Sequence, residues 1–161
     1  QLMYRNILAA LQQHPAQTVA GTSYPSKLPP NLSQQHPLRI LVAEDNVINQ
    51  QVILHILGKL GYTPKVVANG REAVYLMLEQ SYDIIFMDLQ MPEMDGLEAT
   101  RLIRETAGTR PVIIALTANT MEGDEEECLN AGMNDYIGKP VKLEELVDKL
   151  RKWSKELAAV Q

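Results

Sequence analysis

The chain has 161 residues, enough for one domain of ordinary size and a tail, and 45% of them are hydrophobic, enough for a substantial core. A net charge of −5 weighs against a nucleic-acid surface as the main task, since phosphate contacts need clustered Lys and Arg. No apolar run approaches the roughly 18 residues of a membrane span, and no signal-peptide pattern opens the chain. The chain begins with Gln1 rather than methionine, so a segment of a longer protein is expected. The single cysteine, Cys128, cannot form an internal disulfide, which fits a reducing cytoplasmic setting; beside Leu129 in a helical pattern it reads as a packed thiol.

In chain order, Tyr4, Ile7, Leu8 and Leu11 have helical spacing and predict a helix over 1–13, compatible with the end of a preceding domain. Residues 14–37 carry Pro15, Pro25, Pro29, Pro30 and Pro37 among Ser, Thr, Gln and Asn, the composition of a Pro-rich linker. A folded domain is therefore expected over 38–157. It opens with RILVA (39–43), a short apolar run ending in acids, which reads as a buried strand. Residues 47–60 place Val52, Ile53, Ile56, Leu57 and Leu60 on one helical stripe, closed by Gly61. Strands follow at 63–68, 83–88, 111–117 and 135–139, alternating with helices at 70–79, 94–105, 120–131 and 142–157.

Five strand–helix pairs predict a three-layer α/β domain whose parallel sheet is covered on both faces. Right-handed crossovers leave few topologies, of which the order 2-1-3-4-5 is the commonest for five such units. Ligands in such sheets bind beyond the carboxyl ends of the strands. There the sequence puts Glu44 and Asp45 after strand 1, Asp88 at the end of strand 3, Thr117 of strand 4 and Lys139 of strand 5. Taken singly, each has an ordinary reading: a strand-end Asp or Thr caps the next helix, and a lysine is usually a solvated charge. Their joint occurrence points elsewhere. Clustered carboxylates repel, and a hard divalent cation such as Mg²⁺ relieves the repulsion through oxygen ligands. Acids, a cation, a hydroxyl and a lysine together suit the holding of a phosphoryl group.

The segments LRILVAEDN (38–46), DIIFMDLQMPEMDGLEATRLIR (83–104), PVIIALTAN (111–119) and CLNAGMNDYIGKPV (128–141) resemble the receiver domains of two-component response regulators, most closely those attached to hybrid sensor histidine kinases. The resemblance covers about 38–157 and implies a flavodoxin-like fold. It implies that Asp88 is the phosphoacceptor, and that Asp45 directly, Glu44 through water and the Gln90 carbonyl join Asp88 in holding Mg²⁺. It further implies that Thr117 and Lys139 bind phosphoryl oxygens, that Tyr136 is the switch aromatic, and that the bond before Pro140 is cis. Gln90 and Asn119 stand at the positions that tune hydrolysis. The implied reaction is transfer of phosphate from a phosphohistidine to Asp88, the receiver catalysing its own phosphorylation and dephosphorylation and shifting between inactive and active conformations. The implied partner is a histidine kinase domain or a histidine phosphotransfer protein, with neither nucleic acid nor membrane contacted by this fragment. A cytoplasmic location follows for the fragment, whether or not the full-length protein is a membrane-associated histidine kinase. A homodimer through the last helix is compatible with the pattern.

Competing readings are weaker. A degenerate receiver used only for docking is opposed by the intact acids, Thr117 and Lys139. A phosphohydrolase of the haloacid-dehalogenase type needs a second Asp where Gln90 stands. A nucleotide- or flavin-binding module needs a phosphate loop where EDNVIN (44–49) follows strand 1. Asn69–Gly70 reads as a turn, the acidic stretch Glu122 to Glu127 as a solvated helix face rather than a calcium site, and His14, His36 and His55 as structural or solvated groups.

Overall fold

The computed structural model describes residues 32–108, 110–118 and 122–160, all within the unit Asn31–Gln161. The expected helix over 1–13, most of the 14–37 linker and Asn119 lie outside the described residues. The elements are α1 (Leu32–Gln35), β1 (Ile40–Ala43), α2 (Val47–Lys59), β2 (Lys65–Val67), α3 (Gly70–Glu79), β3 (Ile84–Asp88), α4 (Gly96–Ala107), β4 (Val112–Thr117), α5 (Glu122–Ala131), β5 (Asp135–Gly138) and α6 (Leu143–Val160). Residues 63 and 64 of the expected second strand stay outside β2, because Pro64 has no N–H to give to a ladder. Among the described residues no helix is long and apolar enough to cross a membrane.

All strand pairs are parallel and the order is β2-β1-β3-β4-β5, as expected. The pleat then sorts side chains by parity. Ile40, Val42, Ile84, Phe86, Ile114, Leu116 and Ile137 join a core with Ile53 and Leu57 of α2 and with Leu146 and Leu150 of α6. Leu41, Ala43, Ile85, Met87, Ile113 and Ala115 join the other core with Ala73 of α3, Ala99 and Ile103 of α4, and Cys128 of α5. The sheet is therefore the middle of three layers, in the flavodoxin-like arrangement. Cys128 is buried there, as a packed thiol should be.

Register decides what the strand ends have in common. Ala43 lies beside Met87, Asp88 beside Leu116, and Thr117 beside Gly138. Each strand thus leaves the sheet within about one residue of its neighbour, and the following residues share one rim. Helix starts are fixed at the same rim by side-chain caps. Asn46 Oδ1 accepts from the N–H groups of Ile48 and Asn49, at 2.9 and 3.1 Å. Asn69, expected only in a turn, caps α3 through the Glu72 N–H at 2.8 Å, while Glu72 Oε1 accepts from Ala68 N–H at 2.9 Å. Asp95 caps α4 through Glu98 N–H at 2.8 Å. Gly96 is needed for space: a Cβ there would collide with the Asp88 main-chain carbonyl, so its absence lets α4 start directly beneath the end of β3.

Packing of the described residues extends below residue 38. The composition assigns residues up to 37 to a linker, yet Leu32 of α1 is fully buried in the α2/α6 core. Ser33 N–H donates to Leu60 O at 3.1 Å, Tyr62 OH donates to His36 O at 2.6 Å, and Ser154 Oγ lies 3.0 Å from His36 Nδ1. Gly61 (φ 96°) supplies both the left-handed turn and the room for Ser33 that closes α2. Linker composition conceals this segment because its apolar anchor is a single leucine whose partners are distant in sequence. Leu32→Ala should cost about 2–5 kcal/mol, measured by urea unfolding of the whole chain; an unchanged midpoint would return residues 32–37 to the linker.

At the opposite end of β5, Asp135 anchors α6. It accepts from Lys149 Nζ at 2.8 Å, Trp153 Nε1 at 2.9 Å and its neighbour Tyr136 N–H at 2.8 Å. Burial alone would raise its pKa, but these donors hold it below the usual carboxylate range. Arg104 of α4 ties the approaches to β4 and β5 together through Pro111 O, Gly132 O and Asn134 Oδ1, at 2.6, 2.7 and 2.6 Å.

Candidate functional site

The first carboxylate follows from pleat parity. Glu44 continues the Ile40–Val42 side of β1, Asp88 the Ile84–Phe86 side of β3, and Lys139 the Ile137 side of β5, so all three leave the sheet on the α2/α6 face. Thr117 and Tyr136 have the opposite parity and leave on the α3–α5 face. One set of expected residues is thereby divided into a charged cluster and a hydroxyl–aromatic pair. Glu44, Asp45 and Asp88 each bring a carboxylate oxygen within 4.8 Å of the others. Glu44 and Asp88 are buried while Asp45 is exposed at the mouth.

Lys139 is the counter-charge in this cluster. Its ammonium lies 3.0 Å from Glu44 Oε2 and 3.1 Å from Asp88 Oδ1. Among the described residues Glu44 Oε2 is the buried side-chain oxygen with no hydrogen-bond partner, the Lys139 ammonium being its close counter-charge. The other oxygen of Glu44 accepts from Asn46 N–H at 3.2 Å, and Gln90 N–H donates to Asp88 Oδ1 at 3.3 Å. Lys139 N–H donates to Thr117 O at 2.8 Å, holding the ends of β4 and β5 together, and the Lys139–Pro140 peptide is cis. So is Arg110–Pro111, for which the sequence carries no signal.

Burial pushes the Asp88 carboxyl up to about 6; the hydrogen bond and charge of Glu44 push the same way, and Lys139 offsets only part. For Glu44 burial also raises the pKa, but Lys139, a hydrogen bond with Asp88 and the Asn46 N–H outweigh it and the net shift is downward. Lys139 would lose its proton more easily through burial, yet the two carboxylates hold it above its ordinary value. Three acids against one ammonium leave two negative charges uncompensated if all ionise. Together with the unsatisfied Glu44 oxygen, this hard, all-oxygen donor set fits a small divalent cation.

The acids stand in a cleft of about 790 Å³ whose walls include Asn46, Asn49, Gln90, Met91, Thr117, Ala118 and Lys139. Glu44, Asp45, Asp88, Gln90, Thr117 and Lys139 thus share one cavity. Tyr136 is not among its walls: its ring lies 5.7 Å from Lys149 Nζ, and hydrogen bonding to Glu125 raises its phenol pKa. Asn119 lies outside the described residues. Sequence reasoning did not single out Asn46 or Gln50. Asn46 carried the ordinary signal of an N-cap before an apolar helix; Gln50, whose Nε2 donates to Glu44 O at 2.6 Å, carried none.

Comparison with known proteins agrees with this geometry. Residues 40–151 match the family described as response regulator receiver domain. The hybrid signal transduction histidine kinase K of Dictyostelium discoideum is 42% identical over 120 residues, covering 70% of this chain and 10% of that protein. Histidine protein kinase 1 of Candida albicans is 44% identical over 127 residues, covering 72% of this chain and 5% of that protein. This chain therefore spans a tenth or less of either relative. Among solved structures, the receiver domain of a sensor histidine kinase of Pseudomonas aeruginosa is 50% identical with a TM-score of 0.69, covering 73% of this chain and 98% of that one; it holds a magnesium ion coordinated in its active site cleft. The receiver domain of the response regulator Ssk1 of Saccharomyces cerevisiae, co-crystallised with the histidine phosphotransfer protein Ypd1, is 37% identical with a TM-score of 0.70, covering 75% of this chain and 91% of that one.

Proposed function

The chain belongs to the response regulator receiver domain family, the phosphorelay receivers of two-component signalling, and we propose from its own side chains that Asp88 is the group that takes the phosphate. The observation that carries this is the position of the Asp88 carboxylate: buried at the end of β3, 3.1 Å from the Lys139 ammonium, and with a carboxylate oxygen of each of two further acids within 4.8 Å. An Asp88 oxygen attacks the phosphorus of a phosphohistidine, the new O–P bond forms as the P–N bond breaks, and the bonding pair leaves with the imidazole. Lys139 and the Thr117 hydroxyl hold oxygens of the transferred group. Glu44, Asp45, Asp88 and the Gln90 carbonyl would hold Mg²⁺, which when bound offsets the charge of the acids and of the transferred oxygens. The phosphodonor is a histidine kinase domain or a histidine phosphotransfer protein, and the parent protein is a hybrid sensor histidine kinase. Water attack at the same phosphorus returns the free carboxylate, with Gln90 and Asn119 tuning that step.

Thr117 and Tyr136 share a sheet face and lie on adjacent strands, so drawing Thr117 towards a phosphate vacates space on the side where Tyr136 packs. Two charge-assisted hydrogen bonds, through Thr117 and Lys139, supply roughly 3–6 kcal/mol, against about 5.5 kcal/mol to invert a 1:99 population. The switch is therefore balanced between partial and complete.

The chain should accept phosphate from a phosphohistidine protein in Mg²⁺ and not in EDTA, and the product should be cleaved by hydroxylamine as an acyl phosphate. An acid-labile phosphoramidate in its place, or transfer indifferent to EDTA, would defeat this reading. The raised Asp88 pKa adds a pH signature. The ion needs the carboxylate, and the proton competes for it below about 6. Magnesium affinity, read by calorimetry, should be flat from pH 7 to 8 and fall about tenfold per pH unit below that pKa. The unfolded carboxyl titrates near 3.8, so between about 4 and 6 the folded, metal-free chain binds the extra proton and this site's contribution to stability declines as pH rises. An affinity unchanged down to pH 5 would remove Asp88 from the ion's ligands.

A further inference from the structure

The turn that carries the two adjacent acids, Glu44 to Asn46, is held to its surroundings through several backbone groups. Glu44 N–H donates to Val67 O of β2 at 3.1 Å, and Asn46 N–H donates to the Glu44 carboxylate at 3.2 Å. The Asn46 side chain caps α2. The Glu44 main-chain carbonyl lies past the end of β1 and is bound by a side chain: Gln50 Nε2, one helical turn into α2, reaches back to it at 2.6 Å.

That bond bears on Asp45. The Glu44 carbonyl and the Asp45 N–H belong to one rigid peptide plane, so fixing the carbonyl fixes the direction in which the Asp45 Cα leaves it. Asp45 is the exposed member of the acid cluster, and among the described residues none donates a hydrogen bond that would hold its carboxylate against repulsion from Glu44 and Asp88. Rotation of the 44–45 peptide would relieve that repulsion by taking Asp45 away from the other two. A bond from an uncharged amide opposes the rotation without adding a positive charge to compete with a cation. Lysine or arginine at this place could hold the carbonyl but would repel the ion.

We propose that Gln50 is a positioning residue for the cation site: through the Glu44 carbonyl it keeps the acidic turn in the orientation that holds Asp45 within reach of Glu44 and Asp88. The inference rests on the cation reading above and adds to it a residue that touches neither ion nor phosphate. Gln50→Met in the full chain keeps the length of the side chain and removes the donor. Magnesium titration by calorimetry should give a Kd raised about 3–10-fold, the size of one neutral hydrogen bond, while the metal-free melting temperature stays within about 2 °C of wild type. The Asp45 and Asn46 amide signals of the metal-free protein should broaden or shift. Should methionine not be accommodated, Gln50→Ala gives the same comparison.

An unchanged Kd accompanied by a lowered melting temperature would make the bond merely structural and overturn the inference. An unchanged Kd with an unchanged melting temperature would overturn it equally. Failure of the wild-type chain to bind magnesium at all is a separate result, which would sink the cation reading first and this inference with it.

Discussion

Asp88→Asn should reduce incorporation of phosphate from a phosphohistidine donor to background while making the metal-free protein more stable. The first effect follows from chemistry: an amide oxygen at the same place is no nucleophile towards phosphorus, and it cannot complete the acidic ligand set. The second follows from the electrostatics of the same atom. Burial beside Glu44 raises the Asp88 pKa from 3.8 to about 6, so its ionised form at pH 7 is disfavoured by the fold. That rise is equivalent to about 3 kcal/mol, an upper figure because Asn retains only part of the bonding with Lys139. Gain of stability with loss of transfer is the signature of a group kept for function at a cost to folding. Phosphate incorporation, read with radiolabelled donor, and urea unfolding in EDTA make the two checks. Residual labelling near the wild-type level would move the acceptor to another residue, and a clear loss of stability would mean that the Asp88 carboxylate is a structural ion-pair partner.

Lys139→Met should have the next largest effect, expressed differently in the metal-free and magnesium-bound states of the site. In the metal-free protein the ammonium is the nearest counter-charge to both Glu44 and Asp88. Removing one partner of a buried pair costs about 3–5 kcal/mol when the remaining charge cannot adapt. Here Asp88 can take up a proton, so a loss of about 2–3 kcal/mol is expected at pH 7. Magnesium supplies the missing charge, and the stabilisation by saturating Mg²⁺ should be larger in Lys139→Met than in wild type. The transfer rate should nevertheless stay depressed by about 10²–10³-fold in magnesium, because a preorganised donor to the developing phosphoryl charge is lost. Thermal melts with and without Mg²⁺ and rapid-quench transfer kinetics separate these effects. Equal magnesium-induced shifts in the two proteins would show that Lys139 does not share the charge-balancing task with the ion.

Asp88 and Lys139 were legible from the sequence because each closes a strand. The runs ILVA, IIFMD and VIIALT are too apolar to be anything but strands buried on both faces, and they are buried throughout. Residues that terminate such runs must gather on one rim once the strands are parallel, whatever else the chain does. Glu44, which follows ILVA, and Asp88 and Thr117, which end IIFMD and VIIALT, could therefore be expected on one rim without any knowledge of their distances. The start of α2 was nearly as legible, because Asn46 stands just before a helical pattern where its short acceptor satisfies free N–H groups. The start of α4 was less so: the expected helix began at 94, whereas Asp95 is its cap and the helix begins at Gly96.

The sequence by itself determined the strand and helix pattern, the rim that carries the acids, and the chemical kind of site those acids make, since each depends on periodicity or on local capping. Only the tertiary structure decided where the domain begins, how Gln50, Arg104 and Asp135 hold it together, and on which sheet face each functional group emerges. Leu32 meets its core partners, Gln50 the Glu44 carbonyl, and Arg104 the carbonyls ahead of β4 and β5 only after the chain has closed on itself. A polar side chain reaching a distant backbone atom leaves no periodic trace, because its energy depends on an angle and a distance of a few ångströms. The split between the Glu44, Asp88 and Lys139 cluster and the Thr117 and Tyr136 pair likewise needs the observed register, since a one-residue slip would exchange the faces.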